Sequence, residues 1–532
     1  MAAVGEAPQA SGTTSDSHEL AGFGYKQELD RSLGSFSAFA AGFSYISILT
    51  GVTALFGLAY SFAGPGVWWT WPVIVGGQAL VALCFMEMAA QYPIAGSVYQ
   101  WGKQISGSLA SWMTGWVYIV GAIVTITAVA IDWQVVLPQV STHLQFFGSS
   151  ADAGTTATKG GAQNALLLGG ILMVITTIIN MLGVRVMSRI NNVGVICELV
   201  GSSILVILLA FHLHHGPSVI VHSYGLGAGH PWGYFGALLL GSIVSAYVMY
   251  GFDTAGTLAE ETNDPKRNAP PAIIRAVGAA FTIGGLVILF GILANKDLSN
   301  KNIGLLGLPY VMKSAFGNTV GNIFLIDCAI AIFVCCLAVQ TATIRMIFSM
   351  ARDNKLPAGS AVARVSGHRK VPIIPAVVTG ILGIAVAAIN VGNQSAFAAI
   401  TSIAIIMFYL CYMGVTVPML VHRFRGEWPR KDHGPYFSMG RWGLPVNIIA
   451  VIFQVAVVVN LMWPRAAIYN ALPPAHWYFK WAAVLFVGAI FIIGFLYYYL
   501  VQVKKPEEVL EEHRPDVTAF EPVPAPAGDA FP

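Results

Sequence analysis

Charge is what this chain has least of. Asp, Glu, Lys and Arg make up 10% of its 532 residues, where a soluble globular domain carries about 25%, so a water-exposed surface of ordinary size is excluded. Cysteine is scarce too. All six (Cys84, Cys197, Cys328, Cys335, Cys336 and Cys411) fall inside apolar runs, which excludes a disulfide framework and a thiolate metal site and leaves them as small hydrophobes. No phosphate-binding loop of the Walker type occurs, so direct ATP drive is not expected. The 12 histidines keep to loops and tails. His212, His214 and His215 follow an apolar run, where a polar loop is the plain reading and metal binding the alternative. A membrane enzyme would need His, Ser, Asp or a metal converging at one depth, and Asp253 has no His near it in sequence. No cofactor is expected.

What is present is apolar sequence in lengths that suit a bilayer. Hydrophobic residues are 56% of the chain, and stretches of the ~20 residues needed to span a membrane recur throughout. Twelve are predicted, at about 35–62, 69–91, 111–138, 164–183, 192–213, 233–258, 271–294, 318–350, 372–391, 395–420, 446–464 and 477–503. The fold class is an all-α polytopic membrane protein. Spans 1, 3, 6 and 8 are over-long, which predicts tilt or interruption. Residues 1–20 are polar and lack the apolar core of a cleavable signal, so span 1 is expected to double as the insertion signal.

Charge placement supplies an orientation. With both termini inside, only Lys159, Lys296, Lys301, Lys313, Arg465 and Lys480 of the 28 Lys and Arg fall outside, as the positive-inside rule requires. The net charge of +3 therefore reports topology and not nucleic-acid binding. The basic residues between Arg423 and Arg441 are placed to meet anionic membrane lipid. Trp68, Trp69, Trp71, Trp477 and Tyr478 read as interfacial belt. The expected organisation is a disordered cytoplasmic tail over 1–30, a twelve-helix domain over 31–503 in the cell membrane, and a second disordered cytoplasmic tail over 504–532.

Two spans carry breaks. In Tyr250-Gly-Phe-Asp-Thr-Ala-Gly-Thr-Leu-Ala-Glu-Glu261, the carboxylate of Asp253 lies between two glycines at membrane depth. Opened backbone there is tolerated only where protein buries it or it lines a cavity, and an acid at that depth is a functional-site candidate. Span 1 has the partner feature, Ser44-Tyr-Ile-Ser-Ile-Leu-Thr-Gly-Val-Thr53, with hydroxyl and small residues at mid-span. For Gly42 and Gly57, close helix packing is an equal alternative. Interrupted segments at matching positions of two halves point to a transporter's binding site. Free amides at the second half of span 1 suit an anion, and free carbonyls at span 6 suit an ammonium.

Four segments carry a family likeness: Ser47–Thr53 with Gly64-Pro65; Glu87–Pro93 with Gly96–Trp101; Gly251–Thr254 with Glu260-Glu261 and Asp264–Pro270; and Arg345–Pro357. In that order, over residues 30 to 505, the chain resembles the amino acid–polyamine–organocation (APC) permeases, and within them the amino acid/choline transporter branch. The resemblance implies a LeuT-type five-plus-five inverted repeat with broken spans 1 and 6, the repeats covering 35–215 and 233–420, with spans 11 and 12 (446–503) peripheral. It implies alternating access, with substrate at Ser47, Thr50, Gly51, Val52, Tyr247, Tyr250, Gly251, Phe252 and Asp253. Tyr247 resembles an aromatic gate, and Asp253 a position linked to pH response. Several proton-coupled relatives carry a lysine in span 5; this chain has Glu198, which is either a second proton site or a paired carboxylate. Gln340, Thr341 and Thr343 lie at the level of a sodium site in span 8.

Asp132 and Asp327 are candidates for an acidic outer vestibule that would favour a cationic or amine-bearing substrate; capping or pairing with Lys313 is the other reading. Glu87, Glu260 and Glu261 are expected to pair with Lys103, Arg185, Arg352 or Lys266. The expected function is secondary transport of amino acids or small amines, driven by protons as the coupling ion. An exchanger, a polytopic membrane enzyme and a nutrient sensor are the alternatives.

Overall fold

A computed structural model describes residues 12–392, 396–430, 433–470, 476–505 and 509–515. Among them the secondary structure is helical, with isolated β-bridges in place of strands. In chain order the α-helices are α1 (Gly12–Gly22), α2 (Ser35–Ile46), α3 (Ile48–Ala63), α4 (Thr70–Gln91), α5 (Ser97–Ile105), α6 (Ser108–Val140) and α7 (Lys159–Met181). Next come α8 (Val184–Ala210), α9 (Gly233–Gly241), α10 (Ile243–Val248), α11 (Thr254–Thr257), α12 (Pro265–Leu293), α13 (Lys301–Arg352) and α14 (Gly359–Val362). The last are α15 (Ile373–Gly392), α16 (Ala396–Phe424), α17 (Gly443–Met462), α18 (Ala466–Tyr469), α19 (Trp477–Lys480) and α20 (Ala482–Leu500).

Among the described residues, ten segments are long and apolar enough to cross a membrane. The first, Ser35–Gln91, runs for 57 residues through α2, α3 and α4, nearly three times what one crossing requires. Gly233–Val248 is a shorter apolar helix. The 52-residue α13 is not one rod, because Gly307 and Gly317 have positive φ (63° and 76°) inside it. The long apolar part of that helix follows Gly317.

Burial separates a centre from a rim. α6 packs on α13 and α16, and α13 packs on α3. The outer faces are apolar: Val193, Ile196, Val200, Ile204 and Ile207 recur at helical spacing along one exposed stripe of α8. An exposed apolar stripe with all backbone bonds made within the helix is what a lipid-facing surface requires.

The two chain ends meet at one end of the bundle, the terminal end. Here Tyr25 is buried and donates to Asp353 at 2.9 Å, Lys26 N–H donates to the His513 carbonyl at 3.0 Å, and Leu510 N–H donates to the Arg352 carbonyl at 2.9 Å. Leu20, Tyr25 and Leu29 are buried anchors in a segment whose composition reads as a tail. Residues 1–11 and 516–532, also assigned to tails by composition, lie outside the described residues.

Candidate functional site

Two helix interruptions face each other at the centre of the bundle. α2 ends at Ile46 and α3 starts at Ile48, with Ser47 between them at φ 34°. Opposite, the chain leaves helix after Val248 and re-enters at Thr254. Gly251 has φ +89°, and a Cβ there would fall 1.8 Å from the Tyr45 ring. A Cβ on Gly51 already meets the Val248 side chain at 2.4 Å. Glycine at both positions is thus a condition for the two segments to touch.

Each interruption holds a buried carboxylate. At the first, Glu198 of α8 accepts from Leu49 N–H at 3.1 Å and from Ser47 Oγ at 3.0 Å, while Ser47 Oγ lies 2.6 Å from Thr50 Oγ1. Because α3 begins at Ile48, its free amides are those of its first turn. Gly51 N–H is already used by the Ser47 carbonyl at 3.1 Å. The amides available to an anion are therefore those of Ile48, Leu49 and Thr50, ahead of Gly51 and Val52, and an acidic side chain meets one of them. At the second interruption Asp253 is fully buried and accepts from Tyr412 Oη at 2.5 Å and Ser97 Oγ at 2.9 Å. Tyr412 Oη in turn accepts the Gly251 N–H at 2.7 Å, and Ser97 Oγ lies 2.8 Å from Thr257 Oγ1.

Aromatic rings fill the space between. Tyr250 stacks on Phe408 with centroids 4.6 Å apart, Tyr45 and Tyr118 meet Phe408 edge-on at 5.8 and 5.1 Å, and Tyr247 lies 6.0 Å from Tyr250. Phe252 faces Tyr412 at 5.2 Å. The candidates Ser47, Thr50, Gly51, Val52, Tyr247, Tyr250, Gly251, Phe252 and Asp253 are thus gathered in two adjoining segments. Sequence reasoning missed Tyr45, Ser97, Phe408 and Tyr412. Tyr409 and Tyr412 recur at i,i+3 in an otherwise apolar span, which marks a face whose hydroxyls need partners.

The two acids expected together do not share a surface. Asp132 is fully buried on α6 within electrostatic reach of Tyr247, Tyr250 and Cys335. Asp327 is partly exposed and packs against α8, where a Cβ on Gly201 would overlap its carboxylate. Lys313 donates to the Gln139 carbonyl. Gln340 and Thr341 bond to Thr177 and Asn180 of α7, at 2.6 and 2.7 Å, and Thr343 bonds within its own helix. A cleft of about 260 Å³ opens at the end of the bundle opposite the termini, with Thr53, Val135 and Phe397 among its walls.

Buried ion pairs cluster at the terminal end. Glu260 and Arg352 form a bidentate pair at 2.5 and 3.0 Å, and Glu261 and Arg345 another at 2.8 and 3.1 Å, a geometry among the stronger ones proteins make. Glu87 pairs with Arg423 and accepts from Trp428 Nε1 at 2.9 Å. Arg352 matches the expected partner set; Arg345 and Arg423 replace the others. Lys103, Arg185 and Lys266 instead pair with Asp353, Asp30 and Glu19. Burial alone would lower the pKa of Lys103, but Asp353 and Tyr25 hold it above its ordinary range. Burial, then the charge of Asp353, pushes the Tyr25 phenol up to about 12.

The family model described as amino acid permease matches residues 33–496. An amino-acid permease of Arabidopsis thaliana, BAT1, is 30% identical over 83% of this chain and 87% of its own length. The branched-chain amino acid permease BcaP of Bacillus subtilis is 25% identical over 82% of this chain and 90% of its own. Among solved structures, MhsT in complex with L-phenylalanine superposes with a TM-score of 0.55 at 15% identity, covering 81% of this chain and 99% of that one. That likeness is one of fold, the LeuT type.

Proposed function

We propose, for a chain that belongs to the amino acid permease family, a secondary active transporter that moves amino acids or small amines across the cell membrane by alternating access, coupled to protons. The observation that carries this reading is the contact between the two interruptions, Gly251 against the Tyr45 ring and Gly51 against Val248, with one carboxylate at each. Opened helices present carbonyls and amides that bilayer lipid cannot satisfy, so their place is at a substrate site.

In this reading Ser35–Gln91 contributes two spans and residues 233–261 one, for twelve in all, with spans 1 and 6 broken and both termini cytoplasmic. The structure is then closed on the cytoplasmic side, where the Glu260–Arg352 and Glu261–Arg345 pairs form a gate. Opening that side must break or carry these pairs. Asp253 and Glu198 are the proton-coupling residues of the proposal, each holding backbone at an interruption in one protonation state and releasing it in the other.

The test is uptake by purified protein in liposomes, with a panel of labelled amino acids and amines and an imposed inward proton gradient. Accumulation that collapses on adding a protonophore supports proton symport. Flux that appears only with unlabelled substrate inside replaces it with exchange. Binding without flux would refute transport.

A further inference from the structure

We propose that Asp132 is the counter-charge for a second positive group on the substrate, so that the transported molecule carries two cationic groups, as a diamine or a basic amino acid does. The inference rests on the transport reading above.

Asp132 is the sole charged residue of α6 between Ser108 and Val140. Six other acids are as deeply enclosed: Glu87, Glu198, Asp253, Glu260, Glu261 and Asp353. Each of those six accepts at least one hydrogen bond. Neither oxygen of Asp132 has a partner among the described residues. The cation that sequence offers it, Lys313, is turned to the Gln139 carbonyl. A purely structural carboxylate in the membrane interior would be expected to find donors, because an isolated buried charge is among the costliest groups a fold can hold.

Its surroundings are those of the candidate site. Tyr247 and Tyr250 of the second interruption and Cys335 of α13 lie within its electrostatic reach, and the Tyr247 hydroxyl also has no partner among the described residues. Val135 and Thr53 of the cleft wall lie three residues, nearly one turn, from Asp132 and Thr50. The acid therefore sits about one turn deeper than the cleft, between it and the interruptions. At the first interruption the helix N-terminus, which would otherwise favour an anion, already meets the Glu198 carboxylate. The local field thus favours cations at both positions. The 249–253 carbonyls are suited to a first ammonium, and Asp132 to a second ammonium or a guanidinium.

The experiment uses full-length protein in liposomes with labelled L-lysine, putrescine and L-alanine, in the native chain and in Asp132→Asn and Asp132→Glu. The expected result is a preference for lysine or putrescine over alanine, with the dication-to-alanine ratio of kcat/KM falling at least tenfold in Asp132→Asn and less in Asp132→Glu. Lysine without putrescine would assign the second charge to an amino acid side chain; putrescine without lysine would assign it to a diamine. Alanine carried to the exclusion of both, or an unchanged ratio in Asp132→Asn, overturns the proposal while leaving transport intact. Melting temperature supplies an independent reading. If none of the three is carried but lysine or putrescine raises the melting temperature of the native protein and not of Asp132→Asn, the proposal stands and the transport reading falls. No carriage and no shift with any of them overturns the proposal, and the wider panel above then decides the transport reading.

Discussion

Tyr412→Phe is the most informative single change at the second interruption. Its hydroxyl donates to Asp253 at 2.5 Å and accepts from Gly251 N–H at 2.7 Å, so one oxygen ties α16 to both the acid and the opened backbone. Removing it costs a hydrogen bond to a carboxylate, about 1.5–3 kcal/mol, and orphans a buried amide, about 1–3 kcal/mol more. The ring and its packing on Phe85 at 4.8 Å remain. Even at the low end, some 2.5 kcal/mol against this conformation shifts its equilibrium with any other by roughly sixtyfold, taking 1.4 kcal/mol per tenfold. Ser97→Ala removes one bond to the same acid, at 2.9 Å, and no amide depends on it, so its effect should be smaller. Tyr499→Phe, on an exposed side chain, should do nothing. Uptake into liposomes and the melting temperature of the purified protein should both rank native, Ser97→Ala, Tyr412→Phe in falling order. A Tyr412→Phe protein within twofold of native in uptake and unchanged in melting would refute the idea that this hydroxyl holds the interruption.

Gly251→Ala places a methyl 1.8 Å from the Tyr45 ring at φ +89°, so melting should drop by several degrees or insertion fail, whereas Gly278→Ala, with open space around it, should be near neutral. Asp253→Asn should flatten the pH dependence of uptake; a native-like pH profile would remove Asp253 from proton coupling. Glu260→Gln leaves the Arg352 guanidinium, stacked 3.9 Å from the Tyr25 ring centroid, without its buried counter-charge, a loss on the order of 3–5 kcal/mol. It should open the terminal end, read as faster labelling of a cysteine placed there; labelling as slow as in the native protein would mean the pair is not a gate.

How far the sequence could be read depended on whether a residue's partner lay close in the chain. The apolar runs, the Ser47 and Gly251 interruptions and the acid at 253 are local features, since opening a helix needs particular residues at the opening itself. Partners are another matter. Asp253 is held by Ser97 and Tyr412, 156 and 159 residues away, and Glu261 by Arg345, 84 residues away. Any of several basic residues could have served by charge alone, and packing chose Arg345 and Arg423 where Lys103, Arg185 and Lys266 were equally plausible. The free amides of span 1 moved for a subtler reason. The resemblance implied a substrate at Thr50, Gly51 and Val52, yet the turn at Ser47 starts α3 at Ile48, so its first-turn amides are those of Ile48, Leu49 and Thr50. Glu198 then explains the absence of a span-5 lysine differently from a simple loss. A lysine there would repel the positive end of α3, whereas a carboxylate bonds to it through Leu49 and Ser47. Exchanging the residue reverses the sign of the field at the first interruption. On the proposed reading, Glu198 on one side and Asp132 on the other select a substrate for its positive charge.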